Sequence, residues 1–198
     1  TTSASIANDV NVEAIEISGN RLAVIDVVDI GAGPVTRFTI LNATTGMQIS
    51  SKVLSSSDGG LVVLSDIEES GGLIYGAGSL SYPSQIGGTP VLTRIDPGLP
   101  AASSFTGLWT YGDPGFMFAG FNAVDVGSNG NLYAAGYGMN LGFPNSTYVT
   151  RVVRINNPAI SMVPSSDITF NVGLMPARGG LRHTPATDCS GLLDNGTL

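Results

Sequence analysis

The sequence predicts an all-β protein built from three copies of one strand pattern. Three observations lead there. Turn formers are dense, with 27 Gly and 11 Pro among 198 residues, and these are the residues that cost most inside a helix. Apolar and polar residues alternate with period two in strand-sized segments, while no segment shows a capped helical period. Finally, three stretches of the chain can be laid on one another, which is the signature of a repeat architecture.

In the first copy residues 12–17 form a strand, Ser18-Gly19-Asn20 a turn, and residues 21–25 the returning strand. In the second, residues 63–67 lead through Ser70-Gly71-Gly72 into residues 73–78. In the third, residues 121–126 lead through Asn129-Gly130 into residues 131–136. Gly and Asn suit such turns because they tolerate positive φ. A third strand follows in each copy (residues 35–42, 91–96 and 149–156) and ends on Asn42, Asp96 or Asn156. A fourth is expected at 47–54, 104–111 and 167–172. Asn42 to Asp96 is 54 positions and Asp96 to Asn156 is 60. Four strands at this period make a β-propeller blade. The expected organisation is an N-terminal extension (1–9), three blade-like repeats (10–58, 59–115, 116–173) and a C-terminal tail (174–198). The alternative architecture is a β-sandwich whose hairpins happen to look alike.

The third copy carries a family resemblance. Its Asp125-Val126-Gly127-Ser128-Asn129-Gly130-Asn131-Leu132-Tyr133-Ala134-Ala135-Gly136 resembles the secreted bacterial and archaeal β-propeller repeat of the form D-x-x-G-N-hydrophobic-Y-x-x-G. The preceding Leu108-Trp109-Thr110-Tyr111-Gly112 is similar to the aromatic-Gly outer strand of that family. The second copy matches in Asp66, Gly72, Tyr75 and Gly78. The first departs, with Glu16 aligned to the Asp and no counterpart of the Tyr or the final Gly. The resemblance implies blades and says little about activity, since propellers host many unrelated functions. Three blades do not close a ring. The sequence therefore implies part of a larger propeller or assembly, completed by other copies of this chain or by the remainder of a longer parent chain.

Charge narrows the function classes. Charged residues are 12 % of the chain, about half the roughly 25 % usual in globular domains, and the net charge is −7. Lys52 is the sole lysine. Such a chain is a poor partner for a phosphate backbone, so nucleic acid is excluded. No run reaches the roughly 20 apolar residues of a membrane span, so no membrane insertion is expected. Thr1-Thr2-Ser3-Ala4-Ser5 resembles no signal peptide, and the chain reads as processed or excised from something longer.

Chemistry-bearing motifs are few. Asp125-x-Gly127-x-Asn129-Gly130-Asn131 spaces oxygens like a calcium loop but has one carboxylate, where such loops need several and a bidentate Glu. The favoured reading is a hairpin turn. Asp26 with Asp29, and Asp66 with Glu68 and Glu69, read as strand-end or solvated charges. His183 and Cys189 are the only His and Cys, too few for a zinc site. No nucleophile elbow supports a His183 hydrolase. No P-loop is present, and among Asp66, Asp113 and Asp125 nothing singles out a pair for glycoside cleavage. Cys189 reads as a buried thiol, with a bond to another chain as the alternative. Sequons stand at Asn42, Asn145 and Asn195, about as many as chance supplies, each at an expected turn or loop where a glycan fits. Trp109, Tyr111, Phe116, Phe118, Phe121, Tyr133, Tyr137 and Phe143 read as inter-blade core, or else as a stacking face for carbohydrate or partner.

The expectation that follows is a non-enzymatic glycoprotein, extracellular or at the cell surface, without catalytic residues, metal or cofactor. It acts in structure or adhesion through protein or carbohydrate contacts. Two alternatives stand beside it: a fragment of a propeller enzyme acting on polysaccharide, and a β-sandwich filament subunit joined by strand exchange.

Overall fold

The computed structural model describes residues 10–56, 59–82, 88–99, 105–110, 118–140 and 147–171. These form twelve strands: β1 Val10–Ile17, β2 Arg21–Asp29, β3 Pro34–Asn42, β4 Gln48–Leu54, β5 Leu61–Ser70, β6 Leu73–Ser81, β7 Gly88–Ile95, β8 Gly107–Thr110, β9 Phe118–Val126, β10 Leu132–Asn140, β11 Thr147–Ile155 and β12 Ser166–Asn171. No helix occurs among the described residues. The strands make three separate four-stranded antiparallel meanders, β1 to β4, β5 to β8 and β9 to β12. There are three sheets and not two, so the two-layer sandwich is not the architecture of the described residues. The expected N-terminal extension (1–9) and C-terminal tail (174–198) lie outside the described residues.

The hairpin turns follow from backbone sterics. Gly71 and Gly72 both have positive φ (62° and 82°), the conformation that a two-residue type I′ turn needs at its centre. The first copy uses Gly19 and Asn20 in the same left-handed region.

Register shows that the three sheets are true repeats. Leu22 pairs Leu41, Ile74 pairs Ile95, and Leu132 pairs Ile155. Each pair lies just before the Asn or Asp that ends the third strand. On the other side, Ile25, Ala77 and Ala135 pair Glu13, Asp66 and Ala123. Immediately before these partners every inner strand carries one extra residue, a β-bulge, at the same place. Gly78 and Gly136 lie under that bulge. A Cβ on Gly78 would stand 2.0 Å from the Val63 carbonyl oxygen, and one on Gly136 2.1 Å from that of Gly120. The last Gly of the motif is thus required by close approach of the inner strand. Asp26 holds the equivalent place in the first sheet, opposite a bulge between Val10 and Glu13.

The register also corrects the sequence alignment. Glu16, Asp66 and Asp125 do not superpose. Asp66 matches Glu13 and Ala123, while Asp125 matches Glu68 and Ile15. Aligning through the turns misplaced them, because the turns occupy residues 18–20, 71–72 and 127–131 and differ in length.

The sheets pack in chain order. Ala23, Ile25, Phe38 and Ile40 of the first share a core with Leu64, Ile67, Ile74 and Ile95 of the second. The opposite face of the second, with Tyr75, Ala77 and Leu92, joins Phe121, Leu132, Ala134 and Ile155 of the third. Neighbouring sheets touch through the first strand of the following sheet: β5 packs chiefly on β1, and β9 packs across β5, β6 and β7. The middle sheet is buried on both faces, which is why β6 is apolar or Gly at nearly every position instead of alternating.

Candidate functional site

The inner strands bring carboxylates together where the sheets meet. Glu13 and Asp66 occupy the same register position on β1 and β5, each on the face that looks toward the following sheet. Asp66 spans the seam between the second and third sheets. Its Oδ2 accepts the Val124 N–H at 2.8 Å, and its Oδ1 accepts the N–H of Ile67 at 3.0 Å. Burial raises the Asp66 pKa above its ordinary value; the two backbone N–H bonds oppose this, and nearby Asp125 adds to it. Glu13 is also raised, by burial first and then by the charge of Asp66. This is a structural clamp under electrostatic tension, with both oxygens of Asp66 already accepting bonds.

Two cations clasp the outer parts of the same seams. Lys52 on β4 donates to the Leu99 carbonyl at 3.4 Å and lies 5.4 Å from the Phe38 ring centroid. Burial lowers its pKa, and Asp96 pushes the other way. Arg94 on β7 donates to the Pro158 carbonyl at 2.8 Å and also to that of Ala159. Leu99 and Ala159 both lie three residues beyond the polar residue that follows a third strand, Asp96 in one case and Asn156 in the other. The first and second sheets therefore each grip the corresponding turn of the next. Neither this clasp nor the clamp was anticipated from sequence. A cation near the third or fourth strand of each copy was the available signal.

Among the described residues no group of three or more His, Cys, Asp or Glu could hold a metal ion. The calcium-like spacing after Asp125 folds as a turn closed on itself. Gly130 N–H donates to the Gly127 carbonyl at 2.8 Å, Gly127 N–H to that of Asn131 at 3.0 Å, and Asn129 Oδ1 accepts the Asn131 N–H at 3.0 Å. Asn129 Nδ2 also donates to the Tyr133 hydroxyl at 3.0 Å. Asp125 is buried, with 4 % of its surface exposed.

The acidic clusters separate in the structure. Asp26 is neither at a strand end nor solvated, as the sequence reading had it. It is 3 % exposed in mid-strand and paired with Arg37, whose Nε donates to Oδ1 at 3.0 Å and whose Nη2 donates to Oδ2. The two residues are direct cross-strand partners, so the pair is fixed by register. Asp29 accepts the Gly31 N–H and Glu69 that of Gly72, both at 2.8 Å, and these are ordinary turn bonds.

Of the sequon residues, Asn42 closes the β3–β4 turn, its Oδ1 accepting the N–H of Thr44 at 3.0 Å and of Thr45 at 2.9 Å. Asn145 and Asn195 lie outside the described residues, as do Asp113, Tyr111, Phe116, Phe143, His183 and Cys189. Phe121 and Tyr133 are fully buried, and Trp109 stacks at a tilt on Phe121 with centroids 6.2 Å apart. These aromatics belong to the core. No family model matches the chain, and no curated protein is significantly similar to it. No helix of the described residues is long and apolar enough to cross a membrane.

Proposed function

We propose that the chain is a run of β-propeller blades from a secreted or cell-surface protein, similar to the bacterial and archaeal repeat that its third copy resembles. It works without catalysis, in structure or adhesion, by contacts with other protein chains or with carbohydrate. The observation that carries this reading is how the buried carboxylates are used. Asp66, at the seam of the second and third sheets, bonds two backbone N–H groups, and Asp26, on the opposite face of the first sheet from the second, bonds Arg37, so both buried acids are engaged in holding structure. A low charge content supports contact with partners rather than solvation alone.

The test is binding of the immobilised chain to soluble polysaccharides and to further copies of itself, with reducing ends assayed in the same samples. Saturable binding with no rise in reducing ends is the expected result. Release of reducing sugar that scales with chain concentration would favour the polysaccharide-cleaving alternative. Absence of any binding would remove the adhesive reading.

A further inference from the structure

The turn between β3 and β4 presents an amide nitrogen with nothing to do. Asn42 Oδ1 accepts the N–H groups of both Thr44 and Thr45. Those two donors fix the side-chain oxygen over the turn, so Nδ2 points away from it. Among the described residues Nδ2 makes no hydrogen bond. The amide nitrogens of Asn20 and Asn129 are used instead, on the Thr44 and Tyr133 hydroxyls at 2.9 and 3.0 Å. Ala43, Thr44, Thr45 and Gly46 are all exposed. The turn closes largely on itself: the Asn42 N–H donates to the Met47 carbonyl and the Gly46 N–H to the Asn42 carbonyl, both at 2.8 Å.

Asn42-Ala43-Thr44 is an acceptor triplet for N-glycosylation. The number of such triplets in the chain carries no weight, but the placement of this one does. A sugar on Nδ2 replaces one amide hydrogen and leaves the side-chain oxygen able to accept, so both turn bonds survive. Asp96 shows that the turn asks only for an oxygen at this place. It holds the equivalent position after the third strand of the second sheet, and its Oδ1 accepts the Gly98 N–H at 2.8 Å. The surface beside the turn is one that gains from cover. Strand β4 is the outer strand of the first sheet, and Gln48, Ile49, Ser50 and Ser51 are exposed along it. Met47 and Ile49 are 69 % and 56 % exposed. From Met47 to Ser51 the chain runs about 13 Å, at roughly 3.3 Å per residue. An exposed strand edge with apolar side chains pairs with other chains unless something blocks it.

We infer that Asn42 carries an N-linked glycan, and that the sugar guards the edge of β4 against pairing with other chains. This rests on the secreted or cell-surface reading above and gives it one modification site. The bulky, solubilising group sits on a chain short of charge, at the end of its most exposed strand.

The experiment is secretion of the chain from insect cells behind a signal peptide, followed by mass mapping of the tryptic peptide 38–52, which lies between Arg37 and Lys52 and holds no other acceptor triplet. That peptide should carry hexose and N-acetylhexosamine mass, removable by an N-glycosidase that leaves Asp at position 42. Thr44→Ala and Asn42→Asp should abolish the modification, and Thr44→Ser should keep it. Asn42→Asp should also keep the far-ultraviolet circular dichroism of the parent, because a carboxylate oxygen accepts the same two N–H bonds. On concentration, light scattering should rise sooner for Asn42→Asp than for the glycosylated chain. Adding Ile49→Lys should cancel that difference, since a charge on the edge does the same work. An unmodified 38–52 peptide in the folded, secreted chain overturns the site. Equal scattering with and without the glycan overturns the guarding role. The signal peptide supplies the route, so occupancy reports on the site itself. Polysaccharide binding, measured on the bare chain, tests the proposed function apart from it.

Discussion

Gly136 offers a sharp test of the bulge geometry, because one methyl group there has nowhere to go. A Cβ at this position would meet the Gly120 carbonyl oxygen at 2.1 Å and the Phe121 Cα at 2.7 Å. The first distance is 0.9 Å short of the 3.0 Å below which real Cβ contacts essentially never fall. Both obstacles are backbone, so relief requires the whole of β9 to back away from β10. A shift of about 1 Å takes neighbouring N–H···O distances out of the usual 2.7–3.2 Å range. Losing two such bonds costs about 2 kcal/mol, and the strain of an overfilled site adds about 1–3 kcal/mol. Gly136→Ala should therefore destabilise the chain by about 3–5 kcal/mol. For a chain of this size that corresponds to a melting temperature lower by roughly 6–20 °C.

The control is Gly130→Ala. Gly130 has φ of +76° and nothing within 4 Å of its ideal Cβ, so the only penalty is backbone strain, about 1–2 kcal/mol. Thermal and urea unfolding of the two variants beside the parent give the comparison. If Gly136→Ala unfolds within 0.5 kcal/mol of the parent, roughly the scatter of surface substitutions, the bulge does not press on β10 and the account of the motif glycine fails.

Other expectations follow from the seams and the ion pair. Arg37→Leu leaves Asp26 buried without its partner and should cost about 2 kcal/mol in urea unfolding, below the 3–5 kcal/mol of a fully buried pair because the Arg37 side chain is 36 % exposed. Asp66 and Glu13 both have raised pKa values, so the folded chain binds more protons than the unfolded one above the ordinary Asp value of 3.8. Their contribution to stability is then fullest at low pH and is lost as pH rises through that window; Asp66→Asn should flatten this slope while losing about 1 kcal/mol for one N–H left unpaired. Arg94→Met removes the clasp on Pro158 and Ala159, and hydrogen exchange at the Ile160 and Ser161 amides should speed up, with slower exchange in β6 unchanged.

The strand pattern was legible because each copy repeats a period-two segment, a Gly or Asn turn and a polar stop, and those signals are local. The matching of Leu22, Ile74 and Leu132 followed from them and is what the register shows, although Leu22 is only half-buried. That difference is itself physical: Ile74 and Leu132 have a sheet in front of them, and Leu22 has none among the described residues. The carboxylate alignment was not legible, because the three turns have different lengths. A match anchored on the turn therefore drifts by one to three positions along the inner strand. The motif residues divide accordingly. Tyr75, Tyr133, Gly78 and Gly136 lie on second strands, counted from the end of the turn, and they superpose. Asp66 and Asp125 lie on first strands, beyond the turn, and do different work: one reaches across a seam to hold Val124, while the other sits two register positions further along. An acidic residue that recurs in sequence is thus not one site repeated three times, and in this fold the recurring device is the cation on a third or fourth strand gripping the next sheet's turn.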